Sequence, residues 1–258
     1  MNKVNLLNVK VNNETKQEAL SHMASLIEKG EASYGLFVNT DVIIKAEKSS
    51  KLRRILNEAD ISLTDGKPLI WVSRLFGTKI CEKVSGSDLV PLLCAMAAER
   101  GWKIFILGGA EGVPEKAAEN LKKRYRNIRI AGTDSPHYQF ENDEEERERI
   151  LEKIMEAAPD ILLVSFGCPK QEFFVYENYK TCGAVLSLCT GASVDFLAGS
   201  VRRCPAWVSE LGFEWFFRFL MEPRRLFKRY FIDDMKIFGM VVKYWRKGKK
   251  EAAGKKTS

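Results

Sequence analysis

Five short segments of this 258-residue chain, four of them with glycine or proline, carry side chains able to hold an anion or move a proton. They are Asn39-Thr40-Asp41, Thr64-Asp65-Gly66-Lys67-Pro68, Gly108-Gly109-Ala110-Glu111-Gly112, Gly167-Cys168-Pro169-Lys170-Gln171-Glu172 and Thr190-Gly191-Ala192-Ser193-Val194-Asp195. Each follows an apolar run. Such neighbourhoods also make ordinary turns, so none identifies a site alone. Gly108-Gly109, ahead of a helix opened by Pro114, suits a phosphate, because a helix N-terminus aims N–H groups at an anion. It carries neither the glycine-lysine signature of a P-loop nor the glycine spacing of a dinucleotide fold.

The elements that must position these segments alternate. Apolar periodicity predicts helices over Lys16–Lys29, Val42–Asn57, Pro68–Phe76, Asp88–Arg100, Pro114–Tyr125 and Glu144–Ala158. Between them fall apolar strands at Gly35–Val38, Ile61–Leu63, Lys103–Leu107, Ile128–Ala131, Ile161–Phe166 and Ala184–Leu188. Strands alternating with helices of ten or more residues predict a parallel sheet covered on both faces. Ligands of such sheets bind beyond the carboxyl ends of the strands, where the five segments lie.

Composition removes several classes. The chain is 45% hydrophobic and 29% charged, too apolar for a disordered protein, and it has no apolar run long enough to span a bilayer. The start lacks a hydrophobic signal core, so a cytoplasmic address is expected. Six cysteines with no C-x-x-C pair, and two isolated histidines, His22 and His137, predict reduced thiols and no metal site.

Charge is unevenly placed. Residues 200–258 hold 15 Lys and Arg against 6 Asp and Glu, a net +9, which leaves 26 against 28 for residues 1–199. The same end carries 12 of the 27 aromatic residues. The chain is thus expected to comprise an α/β domain over 1–199, a helical appendage over 200–246 and a loose basic tail over 247–258.

In order along the chain stand Asp65-Gly66 with Pro68-Leu69-Ile70-Trp71, Glu82-Lys83-Val84-Ser85-Gly86-Ser87-Asp88-Leu89, Leu107-Gly108-Gly109, and Gly167-Cys168-Pro169-Lys170-Gln171-Glu172. Asp195-Phe196-Leu197-Ala198-Gly199, Arg202-Arg203-Cys204-Pro205-Ala206-Trp207, Glu214-Trp215-Phe216-Phe217-Arg218 and Glu222-Pro223-Arg224-Arg225-Leu226 follow. Over about residues 5 to 232 this pattern resembles the WecG/TagA/CpsF glycosyltransferases. The resemblance implies transfer of a sugar from a UDP-sugar to a polyprenyl-diphosphate-linked sugar in bacterial surface-polymer synthesis, without a metal or other cofactor.

It also implies site residues. Asp65 falls on the general base that takes the proton of the acceptor hydroxyl in an inverting transfer, the reading favoured over that of an Asp-Gly turn residue. Asn39 matches an active-site asparagine. Members often carry Thr two residues earlier, where this chain has Phe37, and Thr40 is its neighbouring hydroxyl. Lys83 stands where members usually have Arg, retaining charge for phosphate without the bidentate fork. Gln171 and Asp195 match donor-pocket positions, with helix capping the other reading of Asp195. Gly108, Gly109, Gly167, Pro169, Lys170, Gly191 and Arg202 are further substrate-binding candidates, and Arg218, Arg224 and Arg225 candidates for the diphosphate.

From Arg224 to Arg246, apolar residues recur every three or four positions, with Arg225, Lys228, Arg229, Lys236 and Lys243 largely on other faces. Such a basic, aromatic helix either lies in an anionic membrane interface or packs on the core with a solvated cationic face; the two are compatible. A nucleic-acid binder would account for the tail but not for the strand-end segments, and an oxidoreductase lacks its glycine fingerprint. The sequence therefore predicts a Rossmann-like α/β enzyme with a C-terminal basic amphipathic helical appendage, peripheral on the inner face of the cell membrane and able to form homo-oligomers. N-acetylmannosamine is the best guess for the donor sugar. A non-catalytic nucleotide- or lipid-surface-binding protein is the alternative.

Overall fold

A computed structural model describes residues 3–202, 204–205, 208 and 212–254. The chain opens with an antiparallel hairpin, β1 (Lys3–Leu6) and β2 (Val9–Asn12), which periodicity did not predict. Six parallel strands follow: β3 (Ser33–Val38), β4 (Ile61–Thr64), β5 (Lys103–Gly108), β6 (Arg129–Asp134), β7 (Ile161–Ser165) and β8 (Leu186–Cys189). Their order is β4-β3-β8-β7-β5-β6, so the sheet is Rossmann-like in architecture, parallel throughout and covered on both faces.

Alternation along each strand builds two cores. Tyr34, Leu36 and Val38 of β3, with Phe105 and Leu107 of β5 and Leu162 and Val164 of β7, face one core. Phe37, Ile104, Ile106, Ile161, Leu163, Leu186 and Leu188 face the other. The first is covered by α2 (Thr40–Lys48), α3 (Ser50–Glu58), α7 (Glu144–Ala157) and α8 (Lys170–Asn178); the second by α1 (Lys16–Lys29), α5 (Gly86–Arg100), α6 (Val113–Arg124) and α9 (Ser193–Ala198). Local signals match these elements. Thr15 and Glu18 cap each other's backbone at the start of α1, and Gly30 ends it in the left-handed region.

Four expectations change. The single helix over Val42–Asn57 is two, because Ser49 adopts an extended backbone and its side chain caps Leu52 N at 3.2 Å. The strand placed at Ile128–Ala131 runs instead over Arg129–Asp134, pairing with β5 across a bulge. The helix expected over Arg224–Arg246 is broken into α11 (Pro223–Lys228), a π-helical turn at Arg229–Asp233 and α12 (Lys236–Gly254), preceded by α10 (Glu214–Met221). The turn closes through Asp234 N donating to Arg229 O at 2.7 Å. Most of the segment expected as a loose basic tail belongs to α12, and residues 255–258 lie outside the described residues.

Candidate active site

Parallel register brings the strand ends together. Val38 pairs with Thr64, and Asp65 N donates to Val38 O at 2.7 Å, so Asn39 and Asp65 leave the sheet side by side. Next to them, Thr190 N donates to Val164 O at 2.8 Å and Gly109 N to Ser165 O at 2.9 Å. The loops after β3, β4, β5, β7 and β8 thus form one edge.

Two cavities open along it. One, of about 590 Å³, is mostly polar and lies over the ends of β5, β7 and β8, where Gly109, Gly167, Gln171, Gly191 and Asp195 line it. The other, of about 480 Å³, is mostly apolar and runs between α4 (Lys67–Leu75) and the C-terminal helices, with Thr40 and Lys83 in its wall. Asn39, Asp41, Asp65, Glu214, Arg218 and Arg229 line both. Asp65 therefore stands where the two compartments meet.

Burial, with the negative charge of Glu214 beside it, pushes the Asp65 carboxyl up to about 6, against the opposing pull of Lys83, Arg218 and Arg229. The group is a carboxylate at neutral pH that can hold a proton, which is what a general base needs. The Oδ1 of Asn39 accepts from Val42 N at 3.1 Å and caps α2, so its orientation is fixed by the helix. The side chain of Lys83 is largely buried and paired, 3.3 Å from Glu214 and 3.7 Å from Asp88.

On the polar side, Gln171 is buried and spends its carboxamide on structure. Its Oε1 accepts from Gly191 N at 3.1 Å and its Nε2 donates to Glu172 Oε1 at 2.8 Å, tying the loop after β8 to α8. Gly108 lies behind the wall; its φ is +92°, and a Cβ there would stand only 2.7 Å from Phe166 and from Ser165 O, so it admits no side chain. Asp195 lies in the first turn of α9, whose N-cap position is Ala192, so it does not cap that helix.

Other sequence candidates fall elsewhere. Pro169 follows a cis peptide at the start of α8 and lines neither cavity. Lys170 pairs with Glu141 and sits over the Tyr138 ring at 5.0 Å, outside both cavities. Arg202 and Arg224 are exposed and line neither. The side chain of Arg225, and Arg203, Ala206 and Trp207 of the matched motif, lie outside the described residues.

The C-terminal helices contribute one expected cation and one unexpected one. Arg218, a diphosphate candidate from its motif, reaches both cavities, its guanidinium 5.6 Å over the Phe196 ring. Arg229, expected on a solvated face, is turned inward by the π-helical turn to 3.9 Å from Asp41, which Lys45 holds at 2.7 Å. The neighbouring Asp234 is pushed up to about 6, mainly by burial and against the pull of Arg229. Asp41 and Glu214 stood inside the motifs already noted; Arg229 and Asp234 had no local signal, because a single π turn decides which way they point.

Comparison with known proteins shows the family. The sequence profile described as Glycosyl transferase WecG/TagA/CpsF family matches residues 4–251. An N-acetylglucosaminyldiphosphoundecaprenol N-acetyl-beta-D-mannosaminyltransferase of Bacillus subtilis strain 168 is 28% identical over 188 residues, covering 73% of this chain and 71% of its own. A protein of the same description from Bacillus spizizenii is 26% identical over 207 residues, covering 80% and 78%. The chain belongs to the WecG/TagA/CpsF family and is a glycosyltransferase.

Proposed function

We propose that this glycosyltransferase moves N-acetylmannosamine, with inversion, from its UDP derivative to an N-acetylglucosamine carried on a polyprenyl diphosphate. The observation that carries the reading is the position of Asp65 between a polar and an apolar compartment. A nucleotide-sugar suits the first, with its polar lining and the glycine turns at Gly109, Gly167 and Gly191. The sugar end of a lipid-linked acceptor suits the second, whose inner end holds Arg218, Arg229 and Lys83. The names of the Bacillus relatives favour this donor sugar and acceptor.

In the proposed step the Asp65 carboxylate takes the proton of the acceptor hydroxyl as its oxygen bonds to the anomeric carbon. The bond from that carbon to the diphosphate breaks, and its electron pair leaves with UDP. Arg218 and Arg229 offset the charge that grows on the diphosphate. A divalent ion is not required in this scheme, so chelator should leave turnover intact.

No helix among the described residues is long and apolar enough to cross a membrane. The exposed aromatics of α10 to α12, with the basic excess of this end, support peripheral attachment to the anionic inner face of the cell membrane. The test is UDP release from a panel of UDP-sugars with the lipid-linked acceptor in vesicles, followed by NMR of the product. Acceptor-dependent release from UDP-N-acetylmannosamine giving the inverted anomer supports the proposal; release from a different donor, or the retained anomer, contradicts it.

A further inference from the structure

The outer part of the apolar cavity is not used by the chemistry around Asp65. Its core-side wall is α4, which begins two residues after Asp65. Leu69, Ile70 and Val72 of this helix pack into the core, Val72 at the edge of the cavity, while Trp71 and Leu75 turn the other way and line it. Trp71 is 52% exposed and Leu75 67%. The opposite wall is α12, through Ile237, Phe238 and Val241, with Phe238 63% exposed. Gly212 lets the chain pass close over α4, since a Cβ there would stand 3.7 Å from the Trp71 ring and 3.1 Å from Lys67.

The two walls make a trough rather than a flat patch, and the trough has a polarity. At the end nearest Asp65, Lys83, Arg218 and Arg229 alternate with Asp41, Glu214 and Asp234; from there α4 runs about 12 Å from Lys67 to Leu75, at the rise of an α-helix, with apolar side chains facing the gap. A concave apolar surface left open by the chain that forms it marks a place for a ligand. An amphiphile with a sugar diphosphate at one end and a hydrocarbon chain at the other matches the trough in order, its polar end beside Asp65 and its apolar end beyond. A bilayer surface would not need the concavity, and a partner helix would not need a trough that runs on from the charged edge around Asp65.

We propose that the trough between α4 and α12 is a binding site for the first isoprenoid units of the acceptor's lipid chain, with Trp71, Leu75 and Phe238 as its contacts; this rests on the lipid-linked acceptor proposed above. The enzyme then recognises the chain as well as the sugar diphosphate, and recognition does not need a membrane. Leu220, also apolar and 60% exposed, does not line the trough.

The experiment uses N-acetylglucosaminyl diphosphate esters of methanol, geraniol and farnesol, with UDP-N-acetylmannosamine and without vesicles or detergent, alongside the undecaprenyl acceptor in vesicles. The full chain is expected to show kcat/KM rising at least tenfold from the methyl to the farnesyl ester. Leu75→Glu and Trp71→Ala should collapse that ratio, while Leu220→Glu should keep it. Equal kcat/KM across the three soluble esters, or a ratio unchanged in both trough variants, overturns the chain site while leaving the acceptor reading standing. Turnover with none of the acceptors, the undecaprenyl one included, overturns the acceptor reading and the trough with it.

Discussion

The ammonium of Lys83 lies 3.3 Å from the Glu214 carboxylate, joining the loop between α4 and α5 to the first C-terminal helix beside Asp65. The pair does two things. It fastens the appendage over the strand ends, and it sets the field in which Asp65 titrates, with Glu214 raising the carboxyl and Lys83 lowering it.

Activity should therefore follow the ionisation of Asp65. Because the base works as the carboxylate, kcat/KM is expected to rise with pH and level off above about 6. Glu214→Gln removes a like charge and should move the midpoint to lower pH, whereas Lys83→Met removes an opposite charge and should move it higher. A pH–rate series on the three proteins checks this; midpoints that coincide contradict it.

The same shift makes a statement about stability. A carboxyl raised from 3.8 to about 6 binds its proton more tightly in the native state, so the stability it offers is present at low pH and lost as pH rises through the interval up to about 6. At pH 7.5 the ionised, desolvated group costs stability, and Asp65→Asn should be more stable than wild type by about 1–3 kcal/mol. Urea unfolding at pH 7.5 and pH 4 measures it: the difference should shrink at the lower pH, and a variant less stable at pH 7.5 would contradict the assignment.

Gly108 is where the polar compartment depends on the backbone. Alanine there brings a methyl within 2.7 Å of the Ser165 carbonyl and the Phe166 ring, at a φ of +92° that suits only glycine. Gly108→Ala is expected to destabilise the fold by about 2 kcal/mol or more, read by denaturant titration. Gly30→Ala, at a comparable φ with open space around it, should cost less.

Gln171 holds the loop after β8 through Gly191 N. Gln171→Leu leaves that N–H and the facing Glu172 oxygen without their partner, and the donor KM should rise about tenfold, the order of one buried hydrogen bond. Steady-state kinetics with varied UDP-sugar separates this from a loss in kcat; an unchanged donor KM would place the donor elsewhere.

How far the sequence carries depends on what signal each feature leaves. The alternation of helix and strand is legible because β3, β5 and β7 are buried on both faces and read as continuous apolar runs. The position of Asp65 follows from the same reading, since a residue just after a parallel strand must emerge at the binding edge. Lys170 and Arg224 carry the right charge in the right motif, yet helix phase and exposure put them outside both cavities. The break at Ser49 leaves only a capping serine as its sign. The inward turn of Arg229 and Asp234 leaves none, because heptad-like spacing through Arg224–Arg246 hides a π turn of one extra residue.

The most direct test of Asp65 as the base compares wild type with Asp65→Asn in a single turnover, with UDP-N-acetylmannosamine and the lipid-linked acceptor, while donor affinity is measured separately by calorimetry. The expected result is transfer slowed by about 10²-fold to 10⁴-fold, the range of a general base, with donor affinity within about threefold of wild type. Transfer at the wild-type rate in the Asn variant would contradict the role given to Asp65.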